Sequence, residues 1–276
     1  MRVQRGIGSL IFYLMLILLV IMTLLPFAIM ISGSFKTDVE MNRYPLSLLI
    51  RDPKLENYQT LFNTIPFFRQ FLNSLWVATT CACVAMVCNG LVAYGFTRFE
   101  FAGKSTLFTL MLSTMLVPGM VFMVPQFRMY QQLGMFGTYF PLIIPFTMGA
   151  FGVFLIRQVM SQVPLELFES ATIDGCGELR IFFTIALPLS AAGIGIQGVL
   201  SFMGAWNDFM TPLIYLNKDV MLTLPIGLMR VQDFYKITYG APLAGAFLSC
   251  VPVIIILTVV GQRYFMQGLM AGAVKG

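Results

Sequence analysis

Most of this chain is apolar, so the residues able to do chemistry stand out by their rarity. Trp206-Asn207-Asp208 sets an aromatic ring beside an amide and a carboxylate. That combination suits a sugar, which offers an apolar ring face and hydroxyls that need donors and acceptors. A carboxylate within an apolar run is costly and, where retained, usually faces a bundle interior or a water-filled path. The competing reading places Trp206 and Asp208 in an aromatic belt at the outer membrane interface, and the residues alone leave both open. Asn73, Asn89 and Gln126 are further polar groups that can line a path. Such amides more often bond one helix to the next.

Residue type and spacing exclude several other chemistries. The chain has no histidine, which removes Ser-His and Cys-His nucleophile pairs, histidine-ligated zinc and histidine proton relays. Of the five cysteines, Cys81, Cys83, Cys88 and Cys250 lie in apolar runs, where cysteine behaves as a small hydrophobe. Cys176 is expected as a free thiol facing the cytoplasm. Gly103-Lys104-Ser105 resembles the end of a phosphate-binding loop, but G-x-x-x-x-G-K-S needs glycine at 98, where Arg98 stands. No phosphate-binding loop of that kind is therefore expected in this chain. Without a nucleophile–base pair or a metal set, the chain is not expected to be an enzyme.

Residues 161–188, SQVPLELFESATIDGCGELRIFFTIALP, form a polar island between two hydrophobic runs. Pro164 suits the first turn of a helix, where a missing N–H costs nothing. Glu166 and Glu169 lie near that start, where the helix dipole favours acids. Leu165, Phe168 and Thr172 fall on one side, the spacing of a narrow stripe. Gly175 permits a sharp turn, Gly177 loosens the chain further, and a second helical pattern runs from Glu178 to Leu187 before Pro188 bends or ends it. The island reads as helix, glycine turn, helix, with Glu169 and Asp174 anchoring it by capping and hydrogen bonds.

The elements that must position these residues are membrane spans. The chain has 276 residues, of which 58% are hydrophobic and 11% charged, against about 25% charged in a soluble domain. This composition predicts an all-α, polytopic membrane protein forming one transmembrane domain over 1–276. Spans are expected at about 10–31, 71–96, 105–124, 138–156, 190–214 and 241–261. Pro118 and Pro125 interrupt the third, which is tolerated where a broken helix faces protein or water. Asn57-Tyr58 followed by Leu61-Phe62 suggests a short amphipathic helix between the first two spans. The net charge of +5 fits contact with anionic lipid, but it is spread along the chain and offers no nucleic-acid patch. Six spans put both termini on one side, and Arg2 and Arg5 favour the cytoplasm.

Glu169-Ser170-Ala171, Asp174-Gly175 at fixed spacing and Leu187-Pro188 beyond resemble the EAA loop of ABC-importer permeases, E-A-A-x-x-D-G-A followed by a stretch ending in L-P. Ser170 and Cys176 replace two alanines of that pattern, and both are small enough to keep close packing. The resemblance implies a coupling helix that docks in a groove of a cytoplasmic ATPase, and with it a type I ABC importer permease fold. It also places the loop, and so both termini, in the cytoplasm.

The resemblance extends over nearly the whole chain. Asn73-Ser74, Ala93-Tyr94-Gly95 with Arg98, Leu133-Gly134, Trp206-Asn207 and the terminal Gly-Ala-Val-Lys-Gly are similar to the carbohydrate branch, in its second, maltose-type permease subunit. That implies a heterodimer with a paralogous permease, two ATPase subunits that hold ATP and Mg, and an extracytoplasmic solute-binding protein in a prokaryotic cytoplasmic membrane. By position, it also implies that residues 215–240 reach toward the binding protein. The tail Gly272, Ala273, Val274, Lys275 and Gly276 would lie near the ATPases. This chain itself is expected to bind no cofactor. The expected function is ATP-driven import of a sugar or oligosaccharide by alternating access. A glycerol phosphodiester or polyol as solute, or an ion-coupled secondary transporter, are the alternatives, although Asp208 alone is ionisable within the spans.

Overall fold

Proline, glycine and a few buried polar residues decide where the long apolar helices break. The computed structural model describes residues 2–41, 47–232, 239–256 and 258; side chains within the first helix are described for residue 9 and from residue 12 on. The described residues are helices joined by turns, with no strand among them. They group into two units, 2–41 and 47–67 with 227–232 and 239–251, and 68–226 with 252–256 and 258. The expected tail, Gly272 to Gly276, lies outside the described residues.

In the first unit, α1 (Arg2–Ser34) is apolar over Phe12–Ser34, 23 residues with a mean hydropathy of 2.9. Every side chain from Phe12 to Phe27 is exposed. A helix that is apolar on all sides and uncovered by its own chain belongs in lipid or against another chain. Past its end, α2 (Glu56–Thr64) is the short helix expected near Asn57, with Leu61 buried. The Asn57 amide donates to Ser34 O at 3.0 Å and Lys36 O at 2.7 Å, satisfying carbonyls that the end of α1 leaves open.

The second unit holds the remaining described spans. α3 (Phe67–Arg98) is an unbroken helix of 32 residues, about 48 Å long at 1.5 Å per residue and so longer than a hydrocarbon core. α4 (Lys104–Ser113) tightens into a 3-10 turn over Thr114–Leu116 and then stops. Val117 is extended, at φ −91° and ψ 118°, because a residue before proline is pushed out of the helical region. Beyond Pro118 the chain resumes in a second 3-10 turn and α5 (Met123–Gln132), bent by 90° from the first piece. The expected third span at 105–124 is thus a broken pair reaching further along the chain.

The stretch Phe140–Met160 is 21 residues with a mean hydropathy of 1.7. It passes through a 3-10 segment at Ile144–Met148 and an extended Gly149 before α6 (Ala150–Met160). α7 (Leu165–Ile173) and α8 (Glu178–Ile181) form the polar island. Residues Phe182–Ala186 then widen into a π-turn, with the Leu187 N–H reaching Phe182 O. An 85° bend at Ser190 leads to α9 (Ala191–Trp206).

The expected fifth span, 190–214, breaks after Trp206, and α10 (Met210–Tyr215) starts afresh. α11 (Leu224–Val231) and α12 (Gly240–Ile256), the latter mostly in the first unit, complete the described helices; of the expected sixth span, 241–261, residues 257 and 259–261 lie outside the described residues. Among the described residues, three helices are long and apolar enough to cross a membrane, or up to five if each bent pair counts as one span.

Close packing in the second unit depends on absent side chains. A Cβ on Gly193 of α9 would lie 2.9 Å from Val159 Cγ2 and 3.5 Å from the Ile156 backbone, so α6 and α9 touch nearly main chain to main chain. The core beside this contact includes Tyr94 and Ala93 of α3, Met160 of α6, Phe168 of α7, and Phe182. It gathers α3, α6, α9 and the polar island at one end of the bundle.

Candidate coupling site

Phe168 is 0% exposed and Ala171 is buried with it, so one edge of α7 is seated in the core. The expected stripe of Leu165, Phe168 and Thr172 is not what is buried: Leu165 and Thr172 are exposed, and the i, i+3 pair Phe168 and Ala171 makes the contact. A helix of 9 residues lying across the end of a bundle touches along less than a full stripe.

Gly175 ends α7 in the left-handed region at φ +79°. Its N–H bonds to Thr172 O at 3.0 Å, and the Cys176 N–H bonds to Ala171 O at 3.0 Å. These paired bonds form a Schellman cap, which satisfies the last carbonyls of the helix and needs a left-handed residue at this position. Glycine meets that requirement without strain. Cys176 packs against the same core as Ala171, the apolar contact that accompanies this cap.

The carboxylates do not anchor the turn. Glu169 and Asp174 are exposed, and neither has a hydrogen-bond or ion-pair partner among the described residues. The open groups at this helix end are carbonyls, which a carboxylate cannot bond, and the nearby N–H groups of Gly175 and Cys176 already donate to the cap. Anchoring comes instead from the Arg98 end of α3. Tyr94 Oη donates to Glu178 Oε2 at 2.5 Å. Arg98 Nη2 donates to Thr172 Oγ1 at 3.2 Å, and its Nε lies 3.9 Å from Glu178 Oε1. The Tyr94 ring meets Phe168 edge-on at 5.8 Å and Phe182 at 5.7 Å. One tyrosine and one arginine thus hold both sides of the glycine turn.

The face turned away from the core mixes acids with uncovered apolar groups. Glu166, Glu169, Ser170 and Asp174 are exposed, and beside them Ile173 is 86% exposed and Leu179 is 66% exposed. Two uncovered apolar side chains thus stand among carboxylates on this face. Ile173 is absent from the family pattern's fixed letters, and only its neighbours' spacing pointed toward it. Leu187 is half-buried and Pro188 exposed, at the end of the π-turn.

The candidates for a solute path separate into two groups. Trp206 is 4% exposed, stacked on Phe202 at 5.7 Å and met edge-on by Phe71 at 5.6 Å. Its ring is therefore packed against other aromatics and offers no free platform. Asn89 is fully buried, its Oδ1 accepting the Gly149 N–H at 2.9 Å. Asn73 Nδ2 donates to Val220 O and Leu222 O at 3.0 and 2.9 Å. These three are structural contacts.

Asn207 is exposed, with its amide bonded back to Met203 O at 2.9 Å, and Asp208 is half-buried, accepting the Thr211 N–H at 3.1 Å to cap α10. Gln126 is half-buried and without a hydrogen-bond partner among the described residues. These three keep polar atoms or surface available. They are not brought to the coupling turn, and among the described residues no group of three or more His, Cys, Asp or Glu could hold a metal ion.

Residues 55–269 match the family described as binding-protein-dependent transport system inner membrane component. Over 269 residues the chain is 36% identical to the arabinooligosaccharides transport system permease protein AraQ of Bacillus subtilis, covering 96% of this chain and 94% of the relative. It is 30% identical over 282 residues to the galactooligosaccharides transport system permease protein GanQ of the same organism, covering 100% and 99%. Its fold is similar to a chain in the crystal structure of a bacterial ABC transporter involved in the import of the acidic polysaccharide alginate. The TM-score is 0.82 at 20% identity, over 94% of this chain and 97% of the other.

Proposed function

Since the chain belongs to the family of binding-protein-dependent transport system inner membrane components, we propose that it moves a sugar or oligosaccharide through the membrane. It is a permease subunit of an ABC transport system, with the type I ABC permease fold, and not an enzyme. The sugar assignment is supported by the named substrates of the AraQ and GanQ systems.

The observation that carries the mechanism is the capped elbow at Gly175, seated in the core on one side and exposing Ile173 and free carboxylates on the other. Glu169, Ser170, Ala171, Asp174, Gly175, Leu187 and Pro188 form the coupling element. A cytoplasmic ATPase receives the exposed face, closes on ATP and Mg, and displaces the elbow. The spans then alternate between inward and outward access. Six spans carry the path, with both termini in the cytoplasm and the tail from Gly272 to Gly276 near the ATPases. A paralogous permease, two ATPase subunits and an extracytoplasmic solute-binding protein complete the assembly. Asn207, Asp208 and Gln126 are the residues of this chain best placed to meet solute.

Purification of the tagged chain in mild detergent tests the assembly: an ATPase, a second permease and a binding protein should travel with it. Reconstituted uptake of an oligosaccharide should depend on ATP and persist when ion gradients are collapsed. A purified particle without an ATPase, or uptake driven by an ion gradient, would overturn the assignment.

A further inference from the structure

Three helices meet the elbow, and α3 is the longest of them to run unbroken. α9 is separated from it by a π-turn and an 85° bend at Ser190. α6 begins only after a 3-10 segment and an extended Gly149. α3 has no proline and no break from Phe67 to Arg98. A displacement entering an unbroken helix travels along it, whereas a broken one can absorb the displacement as a change of angle.

Both ends of α3 grip other segments through side chains. At the Arg98 end, one guanidinium reaches Thr172 on α7 and Glu178 on α8, the two sides of the Gly175 turn. Tyr94 donates a hydrogen bond to Glu178 as well. At the other end, Asn73 Nδ2 donates to Val220 O and Leu222 O, and Arg69 Nε donates to Val220 O at 3.1 Å. Ser74 Oγ accepts the Leu224 N–H at 2.8 Å. The first turns of α3 therefore hold the strap 220–224 by its main chain.

We infer that Arg98 is a positioning residue that locks the elbow to α3, and that α3 transmits elbow movement to the strap at 220–224 on the far side of the membrane. The fork shape of the guanidinium is what the role requires. A planar group with several fixed donors can bridge a hydroxyl and a carboxylate at once, and an ammonium on a flexible stem holds that pair of partners poorly. The inference rests on the coupling reading of the elbow, and the experiment separates the two.

Hydrogen exchange, read by mass spectrometry, is measured on the assembled importer in lipid nanodiscs, with and without ATP and vanadate. In the unmodified protein, peptides covering 165–181 and 218–224 should both change exchange on nucleotide trapping. Arg98→Leu and Glu178→Gln should keep the change at 165–181 and reduce that at 218–224 about tenfold, the scale of one lost charge-assisted bond. Arg98→Lys should behave as Arg98→Leu does at 218–224. Glu178→Gln supplies the readout if the Arg98 variants fail to assemble. A full response at 218–224 in Glu178→Gln and Arg98→Lys, or none in the unmodified protein, would overturn the role of α3 and leave the coupling reading standing. No nucleotide response at 165–181 in the unmodified protein would overturn both.

Discussion

Asn89 accepts the N–H of Gly149 at 2.9 Å, at the point where a 3-10 segment gives way to α6. The amide of a residue on α3 thereby caps a helix start on the neighbouring chain segment. Asn89 is fully buried, so its polar side chain serves packing between helices. Replacing it with leucine leaves the Gly149 N–H unsatisfied in an apolar setting. Asn89→Leu should lower stability by about 1 kcal/mol, seen as a lower melting midpoint in detergent, while the apparent affinity for solute stays unchanged.

Gly152 lies against the same group. A Cβ there would sit 2.5 Å from Gln197 Nε2 and 2.7 Å from Asn89 Nδ2. Gly152→Ala must displace two buried amides, at a cost of about 1–3 kcal/mol. Its yield in membranes and its melting midpoint should both fall, and Gly152→Ser should be no better than alanine.

At Gly175 the prediction differs, because no atom lies within 4 Å of the position a Cβ would take. Only the backbone resists substitution. Gly175→Ala should cost about 1–2 kcal/mol through its left-handed conformation, and Gly175→Asn should cost less, because asparagine tolerates that region. Uptake should fall in the order glycine, asparagine, alanine, valine, with membrane insertion unaffected in each. Equal uptake in all four would show that the cap geometry does not matter for coupling.

Ile173 should behave in the opposite way. It is 86% exposed and contributes little to the core, so Ile173→Asp should leave the melting midpoint of the isolated chain in place. Its recovery with the ATPase should fall by about tenfold, the effect of losing one well-packed interface side chain. A pull-down of the two chains at matched expression reads this directly.

Trp206 separates a structural role from a solute-binding one. Trp206→Ala removes a buried ring packed against Phe202 and Phe71 and should cost about 3–5 kcal/mol. Trp206→Phe should restore most of the stability. Uptake by the phenylalanine variant should show an unchanged KM, whereas a ring in contact with sugar would raise it.

Local signals made the elbow readable from the sequence. Pro164, the first apolar residue Leu165 and Gly175 lie within 12 consecutive positions, and each acts on its own neighbours. Pro118 was equally legible as a break, since its effect falls on the adjacent Val117. What could not be read was pairing across the chain. Tyr94 and Glu178 are 84 positions apart and Arg98 and Thr172 are 74 apart, and no periodicity links them. The same holds for Phe71 and Trp206, so a tryptophan beside an amide and an acid reads equally as a binding platform or a belt residue, and its packing against distant aromatics has no local signal. Glu169 and Asp174 had the right types for caps, but Glu169 lies inside the helix, and the N–H groups beside Asp174, those of Gly175 and Cys176, donate to helix carbonyls instead.

From Phe12 to Phe27, α1 has no side chain covered by the rest of the described chain. Its comfort is set by its surroundings, whether acyl tails or an adjoining subunit. Stripped of that jacket during purification, this stretch is where preparations should begin to clump, well before the interior of the protein has loosened. The choice of detergent should therefore be judged on those residues first.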